Sequence, residues 1–501
     1  MRVAGPLLRA ILKQRVALHV PELPWFPVLL GLYLLLVSGV RCLLARSLMF
    51  DESEEFALSQ VLALGYGAQP PLIVWIVWAA VACFGPSAAV VVGVRLAVLG
   101  LLYAGLYACG RVLTQRPDRA ALAAASALLI PTVGWDFVTD KMHTPLTCAV
   151  AAFTVAALVR AVRGGELRWA VAVGMIVGLG PLCKYTYLPF AAGLLAAACT
   201  LPAYRRWVFS SRGLVAVFVA LLVVLPHAVW VIENRVSLTS AITRTMTDRP
   251  ANSRWSVLLG AANAVFLGCG LFVAVFAVAV PGGFRRNSAL PAEARLLTRA
   301  LLIGGLLSLA IVVANGGNRF KAHWFTPLMV LVPAVLVARM DRVAVSPRRV
   351  ALIWVACGAV VIASVAGGIV LGKTDWLKNG RSLRYQDRLI AETATVLTDE
   401  HPETIVCEGV RHAGNLRLAF PSASVSVLGL PAGSRPPVRG TRVVLVWEAE
   451  NGDAIPNDVL SAIELDYGMQ PDPLSAVRFT GGAPAYENPH GRRLGMVRLV
   501  R

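Results

Sequence analysis

Acidic residues that could do chemistry are concentrated in two short segments of an otherwise apolar chain. An acidic run at 51–55 follows the first long apolar stretch, and Asp140 lies in a later polar turn. A carboxylate can accept the proton of an incoming hydroxyl or amine. Asp51 is the predicted catalytic residue, with Glu52 and Asp140 as weaker candidates. Glu54 and Glu55 are predicted to be solvated loop charges.

Basic side chains occur at two further polar positions. Lys184 and Tyr185 interrupt an apolar stretch, and Arg319, Lys321 and His323 share a later turn. An ionisable residue between apolar runs is costly in a bilayer, so Lys184 needs either a partner or a function. Alternatively, Lys184 needs neither, because its long side chain can extend to the membrane surface and place the charge in water. Cations in such positions can neutralise a phosphate group.

The composition of the chain predicts a membrane protein. Mean hydropathy is +0.67 and only 15% of the residues are charged, values typical of a chain with many membrane spans. The net charge of +19 comes from lysines and arginines that separate the apolar runs, which argues against a nucleic-acid-binding domain. Nearly all of the nine cysteines lie in apolar runs, and none has the spacing of a metal site.

Eleven apolar runs are predicted to cross the membrane as helices. They lie at 25–45, 88–111, 119–135, 144–162, 169–183, 186–203, 213–232, 256–281, 296–314, 323–339 and 349–371. A twelfth run, Pro71 to Phe84, falls short of the roughly 20 residues that a spanning helix needs. Lysines and arginines favour cytoplasmic loops, and the basic clusters all reach that side only if this run does not cross. We therefore place the amino terminus inside and the carboxyl terminus outside, although Arg41 and Arg46 run against this assignment.

The chain changes character near residue 373. Residues 1–372 are predicted to form the transmembrane domain, whose first outward loop, 46–87, carries juxtamembrane helices. Residues 373–501 contain no run long enough to span and are predicted to form a small α/β domain outside the membrane. Its predicted elements are strands at Thr404–Cys407, Ser424–Leu428, Arg442–Trp447 and Met496–Val500, and helices near 384–398 and 455–465.

With this topology, the unusual acids and bases share the outer boundary of the membrane. A lipid-linked phosphate fits such a site, because its tail lies in the bilayer and its anionic head at the surface. Lys184, Arg319 and Lys321 could offset the charge left on a departing phosphate, while Asp51 accepts a proton.

Several motifs, taken in order, resemble those of a known family. They are Phe50-Asp51-Glu52, Gly65-Tyr66 with Gln69-Pro70-Pro71-Leu72, Arg95, Thr139-Asp140 with Pro145-Leu146, Gly178-Leu179-Gly180 through Lys184-Tyr185-Thr186, and Arg319-Phe320-Lys321-Ala322-His323-Trp324. Over roughly residues 25–340 the chain is similar to bacterial membrane glycosyltransferases. This group includes relatives of protein O-mannosyltransferases and of aminoarabinose–lipid A transferase, and the rhizobial galacturonosyltransferases that modify lipopolysaccharide.

The resemblance implies a C-type glycosyltransferase fold, a polyprenyl-phosphate-sugar donor and transfer outside the membrane. Asp51 matches the family's first-loop acid, taken as catalytic, and Asp140 matches its second acid. Lys184, Arg319 and Lys321 match its basic donor-phosphate region. The predicted substrate-binding set is Tyr66, Arg95, His143, Lys184, Tyr185, Arg319, Lys321 and His323; by residue type alone, His143 is more simply a structural hydrogen-bonding residue.

Two departures from the family pattern concern activity. Many relatives carry an acid before the Pro-Pro pair, where this chain has Gly67-Ala68-Gln69, and Lys141-Met142-His143 lengthens the segment after Asp140. The missing acid concerns a metal or substrate contact, and the lengthened segment indicates a subgroup with a different acceptor or a loss of activity.

We predict transfer of a sugar from a polyprenyl-phosphate donor to lipid A, another envelope glycolipid, a polysaccharide or a protein, in the bacterial inner membrane. No cofactor is certain from the sequence, and a divalent metal ion stays open. The alternatives are a transporter or flippase for a lipid-linked or anionic solute, which would place ionisable residues mid-membrane, and an inactive scaffold whose outer domain recruits partners.

Overall fold

A computed structural model describes residues 25–500, apart from 45, 236–253, 285–289, 316–319, 341–342, 344, 374–382, 432, 434, 437, 439, 441, 450–453 and 482–492. The helices of the amino-terminal part are α1 Trp25–Leu44, α2 Phe50–Leu58, α3 Leu72–Phe84, α4 Ala88–Thr114, α5 Pro117–Ser126, α6 Phe137–Thr139, α7 His143–Gly164, α8 Leu167–Cys183, α9 Tyr187–Cys199, α10 Pro202–Val208, α11 Ser211–Glu233, α12 Arg254–Ala279, α13 Ala292–Ala314, α14 Thr326–Met329, α15 Val332–Met340 and α16 Pro347–Lys373.

Seven of the described helices are long and apolar enough to cross a membrane, or up to nine if each of two bent pairs counts as one span. The pairs, Pro117–Leu129 with Thr132–Thr139 and α9 with α10, bend by 85° and 114°. Three shorter apolar helices are α3, α8 and Thr326–Arg339. The nine spans become the predicted eleven if α8 and Thr326–Arg339 also cross the membrane. Helix α3, with 13 residues, is then the short helix of the first loop.

Helix boundaries follow local chemistry. The Ser87 hydroxyl accepts a hydrogen bond from Val90 N at 3.3 Å and caps α4, and Pro117 and Pro202 stand in the first turns of α5 and α10. Proline suits that place because its missing N–H would have no partner there. Gly165 ends α7 with φ of +64°, a left-handed conformation that glycine adopts without strain.

The carboxyl-terminal part forms a sheet flanked by helices. Its elements are α17 Leu383–Thr398, β1 Thr404–Cys407, α18 Val410–Ala419, β2 Ser424–Val427, β3 Val443–Glu448, α19 Asn457–Tyr467, β4 Gln470–Pro471, β5 Arg478–Thr480 and β6 Leu494–Val500. The strand order is β2-β1-β3-β6-β4, and β5 also pairs with β6. Strand β1 pairs in parallel with β2 and β3, and β6 pairs antiparallel with β3. The four predicted strands and two predicted helices are present within two residues at each end, and α18 was not predicted.

Two glycines bring α8 against α11 and thereby fix the position of the residues that follow α8. A Cβ on Gly174 would lie 2.5 Å from Ala216 O, and one on Gly178 would lie 2.8 Å from Ala220 O. Helix backbones approach this closely in membranes only where side chains are absent. Helix α8 ends at Cys183, so the same packing sets where Lys184 stands.

Gly178→Leu should therefore separate α8 from α11 and destabilise the protein. Overpacking of a tight contact costs about 1–3 kcal/mol or more, so we expect a lower thermal unfolding midpoint in detergent. Gly305→Leu is the matched control, because a Cβ at Gly305 meets nothing within 4 Å. Equal midpoints for the two variants would contradict this packing.

Candidate functional site

Helix α2 is held in the bundle by Glu52. Its carboxylate lies 3.1 Å from Arg41 Nη2 and 3.2 Å from Arg95 Nη1, and it accepts a hydrogen bond from Met49 N at 2.9 Å. Glu52 is 0% exposed and Arg95 is 1% exposed. Burial opposes ionisation, but the two guanidinium groups hold the pKa of Glu52 below its usual value. Both residues therefore anchor α2 in this geometry, and their catalytic and substrate-binding roles stay predictions.

Asp51 forms the centre of an acid–base cluster with the second predicted acid. Lys141 Nζ lies 2.8 Å from both Asp51 Oδ1 and Asp140 Oδ2. The backbone N–H of Asp51 donates to Asp140 Oδ1 at 2.9 Å, and Met142 N donates to Asp51 Oδ2 at 3.3 Å. Two acids far apart in sequence thus share one lysine.

The cluster gives its two carboxyl groups opposite pKa shifts. Burial acts against ionisation of Asp51, but the charges of Lys141, His143 and Lys184 together with the Lys141 hydrogen bond lower the pKa of Asp51. Burial and the neighbouring Asp51 charge raise the pKa of Asp140. Asp51 is therefore the ionised member at neutral pH, the state that a general base requires.

Glu55 and His143 form a buried pair, so the prediction of a solvated Glu55 is wrong. Glu55 is 0% exposed and His143 3% exposed, with His143 Nε2 2.5 Å from Glu55 Oε1. The other ring nitrogen, Nδ1, lies 3.2 Å from Cys183 O. His143 thereby connects α2, α7 and the end of α8, and its role in substrate binding stays a prediction.

Glu54 is only partly exposed, so it too differs from the predicted solvated charge. Burial, together with the charges of Glu55 and Asp51, raises the pKa of Glu54 from 4.5 to about 8. Its carboxyl group makes no hydrogen bond or ion pair with any other residue that the structure describes. One helix therefore carries four acids in four different environments.

The predicted bases line one cavity of about 450 Å³, which we call the basic cavity. Its polar lining includes Gln69, Lys184, Tyr185, Lys321 and His323, and the rest is mostly apolar. Lys184 Nζ donates to Thr144 Oγ1 at 3.0 Å and lies close enough to Asp51 to lower the pKa of that carboxyl. Arg319, also predicted for this set, lies outside the described residues.

Two tyrosines of the predicted set have distinct positions. Tyr185 OH lies 3.0 Å from His227 Nε2, and His227 Nδ1 lies 2.7 Å from Leu64 O. Tyr66 is 2% exposed, and its hydroxyl donates to Val61 O at 2.6 Å and accepts from Ala63 N at 2.9 Å. Tyr66 thus fixes the shape of its own loop, whereas Tyr185 faces the basic cavity.

Helix α18 of the carboxyl-terminal part packs directly on α2. Ser53 Oγ donates to Val410 O at 2.9 Å and accepts from Gly414 N at 3.1 Å. Asn415 exchanges two hydrogen bonds with the backbone of Leu48, at 2.6 and 3.1 Å. A Cβ on Gly414 would collide with the backbone of Ser53, so only glycine permits this approach.

Further contacts join the same two parts of the chain. Gln60 Nε2 donates to Val425 O at 2.8 Å and Gln60 Oε1 accepts from Val425 N at 3.0 Å, so this side chain caps the edge of β2. Arg417 stacks over Phe56 at 4.2 Å and donates to its carbonyl oxygen. Helix α18 and the edge of β2 thus contact α2, the helix that carries Asp51, and its flanking residues.

Lys141 and His227 are the main site residues that the sequence did not single out. Lys141 was noted only as part of a lengthened segment, and His227 lies in the apolar run of α11. A histidine within a span was a usable signal, because polar groups there need partners. Nothing in the sequence indicated that Lys141 would face Asp51. Among the described residues, no group of three or more His, Cys, Asp or Glu is arranged to hold a metal ion.

Glu54→Gln should make stability less dependent on pH. Because the folded-state pKa of Glu54 is raised to about 8, the folded chain retains a proton that the unfolded chain loses above pH 4.5. The free energy of unfolding therefore falls as the pH rises through this window, by at most about 1.4 kcal/mol per pH unit.

Unfolding midpoints of the wild type and Glu54→Gln, measured between pH 4.5 and about 8, would check this pH dependence. Glu464→Gln, on the exposed side of α19, is the control. An unchanged pH slope in Glu54→Gln would contradict the buried, protonated state.

Comparisons with known proteins agree with this architecture. Residues 68–230 match the family model described as dolichyl-phosphate-mannose-protein mannosyltransferase. The lipopolysaccharide core galacturonosyltransferases RgtB and RgtA of Rhizobium johnstonii are each 26% identical, over 91% and 84% of this chain and 94% and 86% of their own lengths.

One solved structure shows the fold over nearly the whole chain. It is ArnT from Cupriavidus metallidurans bound to undecaprenyl phosphate, with 15% identity, a TM-score of 0.56, and coverage of 94% of this chain and 97% of that chain. The family model and the two named relatives confirm the resemblance to membrane glycosyltransferases that the sequence predicts, and the match to ArnT shows that the chain is a polytopic protein with the C-type glycosyltransferase fold.

Proposed function

We propose that this chain transfers a sugar from a polyprenyl-phosphate donor to a hydroxyl group of a lipopolysaccharide-type acceptor, with Asp51 as the general base. The observation that carries the proposal is the ionised Asp51 carboxylate beside a cavity lined by Lys184, Lys321 and His323. A transfer in which a phosphate is the leaving group requires a base for the acceptor proton and, next to it, positive charge for the phosphate.

The basic cavity fits the donor. Its two lysines offer positive charge for a phosphate, while its apolar walls, among them Leu188, Ile311 and Val312, fit a hydrocarbon chain. Lys184 is also oriented by Thr144. Burial lowers the pKa of Lys184 although Asp51 opposes this effect, so binding of an anion would stabilise its charged form.

The reaction is a single displacement with inversion. The acceptor oxygen forms a bond to the anomeric carbon while the bond from that carbon to the phosphate oxygen breaks. The phosphate leaves with the electron pair, and Lys184 and Lys321 stabilise its charge. The proton of the acceptor hydroxyl passes to Asp51, which can accept it because its carboxylate is ionised.

Two named relatives support the choice of acceptor. RgtA and RgtB are named lipopolysaccharide core galacturonosyltransferases, and ArnT was solved with undecaprenyl phosphate. With the carboxyl-terminal part outside, as the basic clusters predict, the site would face the periplasm from the inner membrane. Both relatives carry the name of a transferase and neither that of a transporter, so transfer is favoured over transport.

Asp51→Asn should abolish most transfer without unfolding the protein. An amide keeps the shape of Asp51 but accepts no proton, and general-base catalysis contributes about 10²- to 10⁴-fold. The readout is the mass of lipopolysaccharide from a deletion strain after incubation with the purified variant and a lipid extract containing the donor. Transfer by Asp51→Asn at the wild-type rate would remove Asp51 from the mechanism.

Gly414→Val should slow transfer because it pushes α18 away from Ser53 and so moves α2. Misplacement of a catalytic group by about 1 Å can cost about 10²-fold in rate, and we expect kcat to fall with little change in the KM for the donor. Gly409→Val is the control, since a Cβ there meets nothing within 4 Å. Equal kcat values in the two variants would show that the contact does not position Asp51.

A further inference from the structure

A second cavity, of about 180 Å³, lies one helical turn along α2 from Asp51. We call it the acidic cavity. On the α2 side its lining includes Glu54 and Leu58, and on the opposite side it includes Gly429, Leu430 and Pro431, which follow β2. Residues 66–69, Val74 and Trp230 complete the lining. The cavity therefore lies between the transmembrane helices and the carboxyl-terminal part.

The acidic cavity and the basic cavity share a wall. Ala68 and Gln69 line both of them. A stack of rings also connects them, because Trp230 of the acidic cavity stacks on His227 at 5.8 Å and His227 contacts Tyr185 of the basic cavity. Gly65 makes the stack possible, since a Cβ there would collide with the Trp230 ring. A group bound in the acidic cavity is thus adjacent to whatever occupies the basic one.

The chemistry of the lining selects the type of ligand. No described lining residue is basic, and the carboxyl group of Glu54 has no partner among the described residues. Asp51, Glu55 and Asp140 add nearby acidic groups, which disfavour a phosphate. A largely apolar cavity with two aromatic rings, one amide side chain and one unpaired carboxyl group suits a hydroxyl-bearing sugar ring.

Resting on the proposed function, we propose that the acidic cavity binds the acceptor sugar, with Glu54 hydrogen-bonding its hydroxyl groups and Leu430 closing the cavity from the carboxyl-terminal part. The two substrates then lie side by side at Ala68 and Gln69, and Asp51 precedes Glu54 by three residues on α2. The carboxyl-terminal part contributes to acceptor selection in addition to holding α2.

The test separates the two cavities by two probes. Undecaprenyl phosphate, measured by the rise in unfolding midpoint that it causes, reports on the basic cavity. Lipopolysaccharide from a deletion strain, measured as acceptor at saturating donor, reports on the acidic cavity. Glu54→Ala removes the hydrogen-bonding group and Leu430→Trp fills the space. Leu465→Trp is the control, because Leu465 is 87% exposed on α19.

Glu54→Ala and Leu430→Trp should each raise the KM for lipopolysaccharide about tenfold or more, which corresponds to about 1.4 kcal/mol. Their midpoint shift with undecaprenyl phosphate should equal that of the wild type, which also shows that they fold. Leu465→Trp should match the wild type in both readouts.

An unchanged acceptor KM in both variants, with the midpoint shift retained, would overturn the assignment of this cavity. So would a fall in kcat at constant KM, because Glu54 would then act on the reaction and not on acceptor binding. A wild-type protein that transfers no sugar and is not stabilised by undecaprenyl phosphate would instead overturn the proposed function, and this inference with it.

Discussion

The buried ion pairs of Glu52 are the interaction on which the site depends. Two arginines from different helices, Arg41 and Arg95, converge on one carboxylate that has no access to solvent. Removing one partner from such a buried group leaves an uncompensated charge and commonly costs about 3–5 kcal/mol. The same carboxylate caps the first turn of α2. The position of Asp51, one residue earlier, is therefore set by a contact that takes no part in proton transfer.

The carboxyl-terminal part holds the opposite face of α2. Asn415 binds the backbone just before the helix, Gly414 allows contact with Ser53, and Gln60 completes the edge of β2. The helix is thus fixed between membrane-embedded arginines and an α/β unit. A helix held from two sides loses little entropy when substrates bind beside it, which is the physical advantage of preorganisation.

The four acids on the short helix α2 differ in their ionisation and their contacts because each has different neighbours. Lys141 keeps Asp51 ionised, the arginines keep Glu52 ionised, and His143 pairs with Glu55. Glu54 has no such partner, and burial beside like charges raises its pKa to about 8. The environment of each side chain, and not its residue type, therefore decides its state. Asp51 and Glu52 are ionised, Glu55 is paired with a histidine, and Glu54 is neutral, all within two helical turns.

The sequence alone determined the membrane class, the short helix α3 and the sheet-forming strands, and it predicted roles for Asp51, Asp140 and Lys184. These follow from local properties: hydropathy, run length, alternation and the cost of a charge between apolar runs. Only the tertiary structure decided which acid meets which base. The pairing of Glu52 with Arg95, and of Asp51 with Lys141, depends on helix packing across 43 and 90 positions, and no local pattern encodes contacts at that separation.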